Sequence, residues 1–146
     1  KCFDDMIVKS DNACAEALLN KIGYATLTNE LHAIGLNSSS FVKSYIQSTA
    51  ADESTFLGAL YSGQLLSPSS TSTLISAMKR NIYRQDIPAG ASGTVADKVG
   101  FLNALLHDAS IVYSPSGTYV LVVMTDGSSW GTIADLTRAI ESWRSS

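Results

Sequence analysis

Charge is scarce in this sequence. Only 16% of its 146 residues are charged, and the formal net charge is -3. That balance excludes the broad basic surface with which nucleic-acid-binding domains cover phosphates. Lys79, Arg80 and Arg84 form one local basic cluster, too thin for such a footprint. Long apolar runs are missing too, and nothing approaches the ~18 consecutive apolar residues of a membrane helix. Histidine is confined to His32 and His107 and cysteine to Cys2 and Cys14, with no Cys-x-x-Cys. A structural zinc site therefore finds no support, and no metal or other cofactor is expected. The even cysteine pair fits a disulfide in an exported protein and fits two reduced, buried thiols equally well. The opening "KCFDD" lacks the features of a signal peptide, which leaves export open because a leader can be removed.

The sequence is rich in apolar residues, 45% of the total, enough to pack the core of one domain over residues 1–146. Residues 1–88 read mainly as helices. Asp11 or Asn12 can cap a helix whose apolar face is Ala15, Leu18, Leu19 and Ile22, stopped by Gly23. A second places Leu27, Leu31 and Ile34 on one face and ends at Gly35. The polar stretch "NSSSFVKSYIQS" reads as an irregular connection. A third helix starts at Thr49 and turns Phe56, Leu57 and Leu60 inward. A fourth starts at Ser67-Pro68 and buries Leu74, Ile75 and Met78.

Residues 89–146 change pattern. "TVADKVGFL", "ASIVYS" and "TYVLVVMT" are β-branched or aromatic runs, the last two joined by Ser114-Pro115-Ser116-Gly117. Pro and Gly stand where a tight turn wants them, so a hairpin is predicted. A closing amphipathic helix offers Ile133, Leu136, Ile140 and Trp143 to the sheet. The expected fold is α+β: a helical part, an antiparallel sheet of three strands, and a C-terminal helix packed on it. So small a sheet leaves "TVADKVGFL" as a possible unpaired edge, covered by helices or paired with strands from outside these residues.

Ser10-Asp11-Asn12 lies between the apolar run Met6-Ile7-Val8 and the first capped helix. Three polar residues there make a helix cap or a catalytic loop. His107-Asp108 has the look of a triad fragment, but neighbouring strand residues point to opposite faces and cannot cooperate. Asp4-Asp5 and Asp52-Glu53 are sequence neighbours rather than facing carboxylates, so a glycosidase reading has no basis.

With Ser10-Asp11-Asn12 before a helix and Lys98-Val99-Gly100 on a strand ahead of a hairpin, the sequence resembles the serine β-lactamase and penicillin-binding-protein superfamily. The closest likeness is to the C-terminal two-thirds of class A β-lactamases and related serine hydrolases. "TFLGALYSGQLLS" and the final "IADLTRAIESW" extend it over nearly the whole chain. The resemblance implies acyl transfer from a β-lactam or a peptidoglycan stem peptide, and a secreted or cell-envelope location. It assigns Ser10 to carrying a proton to the leaving nitrogen, since a hydroxyl donates and accepts at once. It assigns Asn12 to contact with the catalytic lysine and substrate amide, and Asp11 to holding the loop. Lys98 supplies positive charge for the substrate carboxylate and for the proton step. Gly100 admits the substrate where a Cβ would collide, and the Phe101 N–H matches an oxyanion donor.

The sequence departs from that pattern in three ways. The family's nucleophile lies in a Ser-x-x-Lys motif upstream of Ser-Asp-Asn, and none precedes Ser10. Ser40–Lys43 and Ser76–Lys79 have the spelling but lie downstream. The expectation is a chain lacking the N-terminal part of the fold, with a complementary N-terminal fragment or chain as a partner. Residues 35–51 contain no Asp or Glu to match the family's deacylating glutamate, and Val99 replaces a hydroxyl that binds the substrate carboxylate. These losses also fit an alternative, a binding or structural module that keeps the fold without the chemistry.

Overall fold

A computed structural model describes residues 1–146. Helices α1 (Cys2–Lys9), α2 (Asn12–Ile22) and α3 (Tyr24–Ala33) come first, followed by strands β1 (Ser40–Val42) and β2 (Tyr45–Gln47). Helices α4 (Ala50–Tyr61), α5 (Pro68–Lys79) and α6 (Ile87–Gly90) precede strands β3 (Thr94–Leu102), β4 (Leu105–Ser114) and β5 (Gly117–Asp126), and α7 (Trp130–Ser145) closes the chain. The main sheet is antiparallel in the order β3-β4-β5. The fold is therefore α+β, with helices on both faces of a three-stranded sheet.

Local chemistry accounts for most boundaries. Thr49 caps α4 by accepting from the Asp52 N–H at 3.1 Å, and Ser67 caps α5 ahead of Pro68. Pro115-Ser116 turns the β4–β5 hairpin, pairing Ser114 with Gly117. Strand alternation then sorts the sheet's two faces. Ala96 and Ile111 pack with Leu57, Leu60 and Met78 beneath α4 and α5. Val95 and Val112 pack with Ile87 and Ile133 beneath α6 and α7.

Three expectations are corrected. "NSSSFVKSYIQS" contains a small hairpin rather than an irregular connection, with Phe41 opposite Ile46 and Val42 opposite Tyr45; these apolar cross-strand pairs sustain it. Strand β4 starts at Leu105, four residues before "ASIVYS". Helix α7 is rotated from its expected orientation. Ile133 is buried, but Leu136 and Trp143 are 45% and 76% exposed, and Ala134, Thr137 and Glu141 face inward instead. Polar anchoring and close packing set that rotation. Glu141 accepts from Tyr119 Oη at 2.6 Å and from Ser114 Oγ at 2.9 Å. Gly90 lets α6 lie directly on the α7 backbone.

Both edges of the sheet lack a further strand. Helices α5 and α6 pack on β3, whereas β5 runs ten residues along the other edge. Neither α2 nor α3 buries a residue fully, and Leu18, Ile22 and Ile34 are exposed.

Candidate active site

Ser10 closes α1 in the left-handed region, at φ 58° and ψ 40°, a conformation that a non-glycine residue holds only when its surroundings enforce it. The enforcement comes from both sides. The Asp11 N–H donates to the Asp5 carbonyl at 3.0 Å, and Asp11 Oδ1 accepts from the Cys14 N–H at 2.8 Å, capping α2. Cys2 and Cys14 are disulfide-bonded, so the first residue of α1 is tied to the first turn of α2 around Ser10. Of the two cap candidates, Asp11 is the one used. Asp11→Ala is expected to lower the unfolding free energy by about 1 kcal/mol, the usual loss for a cap, checked by chemical denaturation.

Lys98 meets this loop from β3. Its Nζ donates to Ser10 Oγ and, at 2.9 Å, to the Val99 carbonyl, joining residues 88 positions apart. Because the lysine donates, the serine's own O–H remains free for another acceptor. Burial holds the Lys98 ammonium below its usual pKa, and the Asp97 and Asp108 carboxylates oppose that shift. Ser10, Asp11, Asn12, Lys98, Gly100 and Phe101 line one cleft of about 240 Å³. The structure thus brings all six expected site residues together. A Cβ on Gly100 would meet only His107 Cβ, at 3.9 Å. The fold itself has room for a side chain there, so packing does not require the glycine.

Neither downstream Ser-x-x-Lys spelling reaches the cleft. Ser40 and Lys43 straddle the end of β1, and Ser76 is exposed on α5 while Lys79 covers the Tyr113 ring at 4.1 Å. His107 and Asp108 diverge as strand geometry requires: His107 Nδ1 accepts from the Thr125 N–H at 3.2 Å, and Asp108 is buried on the opposite face. Val99 is buried, only 4% exposed.

Some groups near the site were given no part in it from the sequence. Glu53, in the first turn of α4, lines an adjoining cleft with Lys98, Gly100 and His107. Behind Lys98, on the α7 side of the sheet, Asp86, Asp97 and Asp108 are all buried. Burial raises the Asp97 carboxyl to about 7 against the pull of Arg84, and burial with its acidic neighbours raises Asp108 to about 9. Asp97 sits in "VADKV" and Asp108 in "LHDAS". A charged residue at an inward strand position was the available signal for both.

The model of the β-lactamase enzyme family matches residues 1–143. The chain belongs to that family. Solved structures agree with it in fold. A structure of PBP-A superimposes with a TM-score of 0.89 at 24% identity, covering 96% of this chain and 58% of its own. An acyl-enzyme complex of a PBP-A variant with penicillin G gives 0.88 at 25% identity, covering 96% and 59%. A β-lactamase from Sphaerobacter thermophilus gives 0.88 at 20%, covering 96% and 60%. This β-lactamase-family chain therefore spans about three-fifths of the length of each. No curated protein matches it.

Proposed function

We propose that residues 1–146 are the carboxy-terminal part of a serine acyl-transfer hydrolase acting on β-lactam or peptidoglycan stem-peptide amides, outside the cytoplasm. The observation that carries the reading is the Lys98–Ser10 hydrogen bond, donated by the lysine into a cleft that also holds Asn12, Gly100 and Phe101. As the amide breaks, Ser10 gives its hydroxyl proton to the leaving nitrogen and recovers one from the Lys98 ammonium. The same ammonium attracts the substrate carboxylate, and Asn12 offers an amide to the substrate from the opposite wall. An extracytoplasmic setting is supported by the Cys2–Cys14 disulfide.

The nucleophile is assigned to a segment outside residues 1–146. Three unpartnered surfaces support this. A groove of about 580 Å³ between α2, α3 and the β1–β2 hairpin has Met6, Leu19, Leu27 and Phe41 in its walls and Asn12 and Lys98 at its rim. A helix bearing a nucleophilic serine would bury its apolar face there and present the serine to Ser10 and Lys98. The free edge of β5 has room for further strands, and Leu136 and Trp143 leave α7 with a second apolar stripe. Expressed alone, residues 1–146 are expected to aggregate. Co-expression with the completing segment should recover soluble protein that labels with a reporter penicillin.

In that complete protein, Gly100→Ala is expected to slow acylation at least about 100-fold, as a misplaced substrate does, while stability stays within about 0.5 kcal/mol. Burial of Val99, in place of a hydroxyl residue, favours a second reading, a fold retained for binding alone. Under that reading Ser10→Ala would leave ligand affinity intact and no acyl adduct would form in any variant.

A further inference from the structure

The acidic cluster behind Lys98 is incompletely partnered. Asp97 Oδ1 accepts from Arg84 Nη1 at 2.5 Å, and Oδ2 accepts from Asn81 Nδ2 at 3.1 Å. Asp108 Oδ2 accepts from the Ile87 N–H at 3.3 Å. Asp108 Oδ1 and both oxygens of Asp86 have no partner, although Asp86 is 99% buried, with 1% of its surface exposed. Three carboxyls thus face a single guanidinium, and three of their oxygens, two on Asp86 and one on Asp108, are left without a partner. Buried oxygens of this kind are costly unless something positive sits between them.

One oxygen from each of the three carboxyls lies within 4.8 Å of the others. Calcium holds its oxygen ligands at roughly 2.3–2.6 Å, so oxygens across the ion stand about 4.6–5.2 Å apart. A single ion of that size reaches all three. Magnesium requires a tighter and more regular shell, and with no histidine or thiolate in the cluster the softer transition metals gain nothing. The surrounding bonds meet the further needs of a metal site. Arg84 and Asn81 fix the orientation of Asp97, the Ile87 N–H fixes Asp108, and a cleft of about 340 Å³ reaches Asp86 from the surface. Gln85 and Asn103 line the same cleft, at its exposed end.

We propose that Asp86, Asp97 and Asp108 bind a divalent, oxygen-seeking cation of calcium's size, which ties β3, β4 and the start of α6 together behind Lys98. Trp130 and Tyr83 line the entry cleft, close enough to sensitise a lanthanide bound at Asp86. The test uses the complete protein with terbium(III) as probe. Excitation of the aromatic residues should raise terbium emission at least about tenfold, millimolar calcium should displace it, and Asp86→Asn and Asp108→Asn should each abolish it. In the unsubstituted protein, Tm should be roughly 5–10 °C higher in saturating calcium than in EDTA. Emission that persists in both variants would place the ion elsewhere and overturn the proposal. Absent emission with equal Tm in calcium and EDTA would overturn it too, leaving protons alone to neutralise the cluster.

Discussion

Lys98→Met should slow acylation of the complete protein by about 10²–10⁴-fold, the range for losing a positioned proton-transfer group. Methionine keeps an unbranched stem of similar volume along β3 but cannot donate. Ser10 Oγ would lose the hydrogen bond from Nζ, and its hydroxyl would have no proton source after giving one to the leaving nitrogen. The cleft would also lose the charge that attracts a substrate carboxylate. Because burial already holds the lysine's pKa below its usual value, the native group parts with its proton more readily than an exposed lysine. Lys98→Arg should recover little, since a planar guanidinium does not replace a compact ammonium at a single acceptor. The measurement is the second-order rate of labelling by a reporter penicillin, with the melting curve as a control for folding.

Gly90→Ala is expected to cause a large loss of stability. Its Cβ would stand 2.2 Å from the Ala134 carbonyl oxygen and 2.7 Å from Thr137 Cβ. Both belong to α7, whose rotation is fixed by Glu141 and its two hydroxyl donors. The helix cannot retreat without breaking those bonds and exposing Ile133. A cost of about 3 kcal/mol or more follows, lowering Tm by roughly 6–12 °C. Gly58→Ala gives the opposite sign: nothing lies within 4 Å of the added methyl group inside α4, so helix propensity alone should stabilise by about 0.5–1 kcal/mol. Differential scanning calorimetry of the two variants measures both effects.

The elements that could be read from the sequence are those written in local chemistry. Thr49, Ser67-Pro68 and the Ser114–Gly117 turn each satisfy backbone groups within a few residues, so their positions show directly. The rotation of α7 did not show, because Leu136 and Trp143 are as hydrophobic as Ile133, and the choice among them rests on Ser114, Tyr119 and Gly90 far off in sequence. The β1–β2 hairpin was hidden by the polar residues flanking its two apolar pairs. Periodicity could not join Ser10 to Lys98; the order of two short motifs and their likeness to a known family suggested the link, and the fold brings the two side chains into one cleft. The carboxylate cluster was missed because Asp86, Asp97 and Asp108 come from a loop and two different strands. Asp108 drew notice only beside His107, as a triad fragment; an inward strand position was the one further signal for it and for Asp97.

The central claim is that this chain supplies the proton-transfer wall of an acyl-transfer site whose nucleophile lies outside residues 1–146. Its most direct test is to treat the native protein with a reporter-tagged penicillin, record the denatured intact mass, and map the labelled peptide. The expected result is one acyl adduct on a serine outside these residues, lost in Lys98→Met. An adduct on Ser40, Ser76 or any other serine of residues 1–146 would contradict the claim, and so would a protein that stays unmodified by penicillins and activated esters alike.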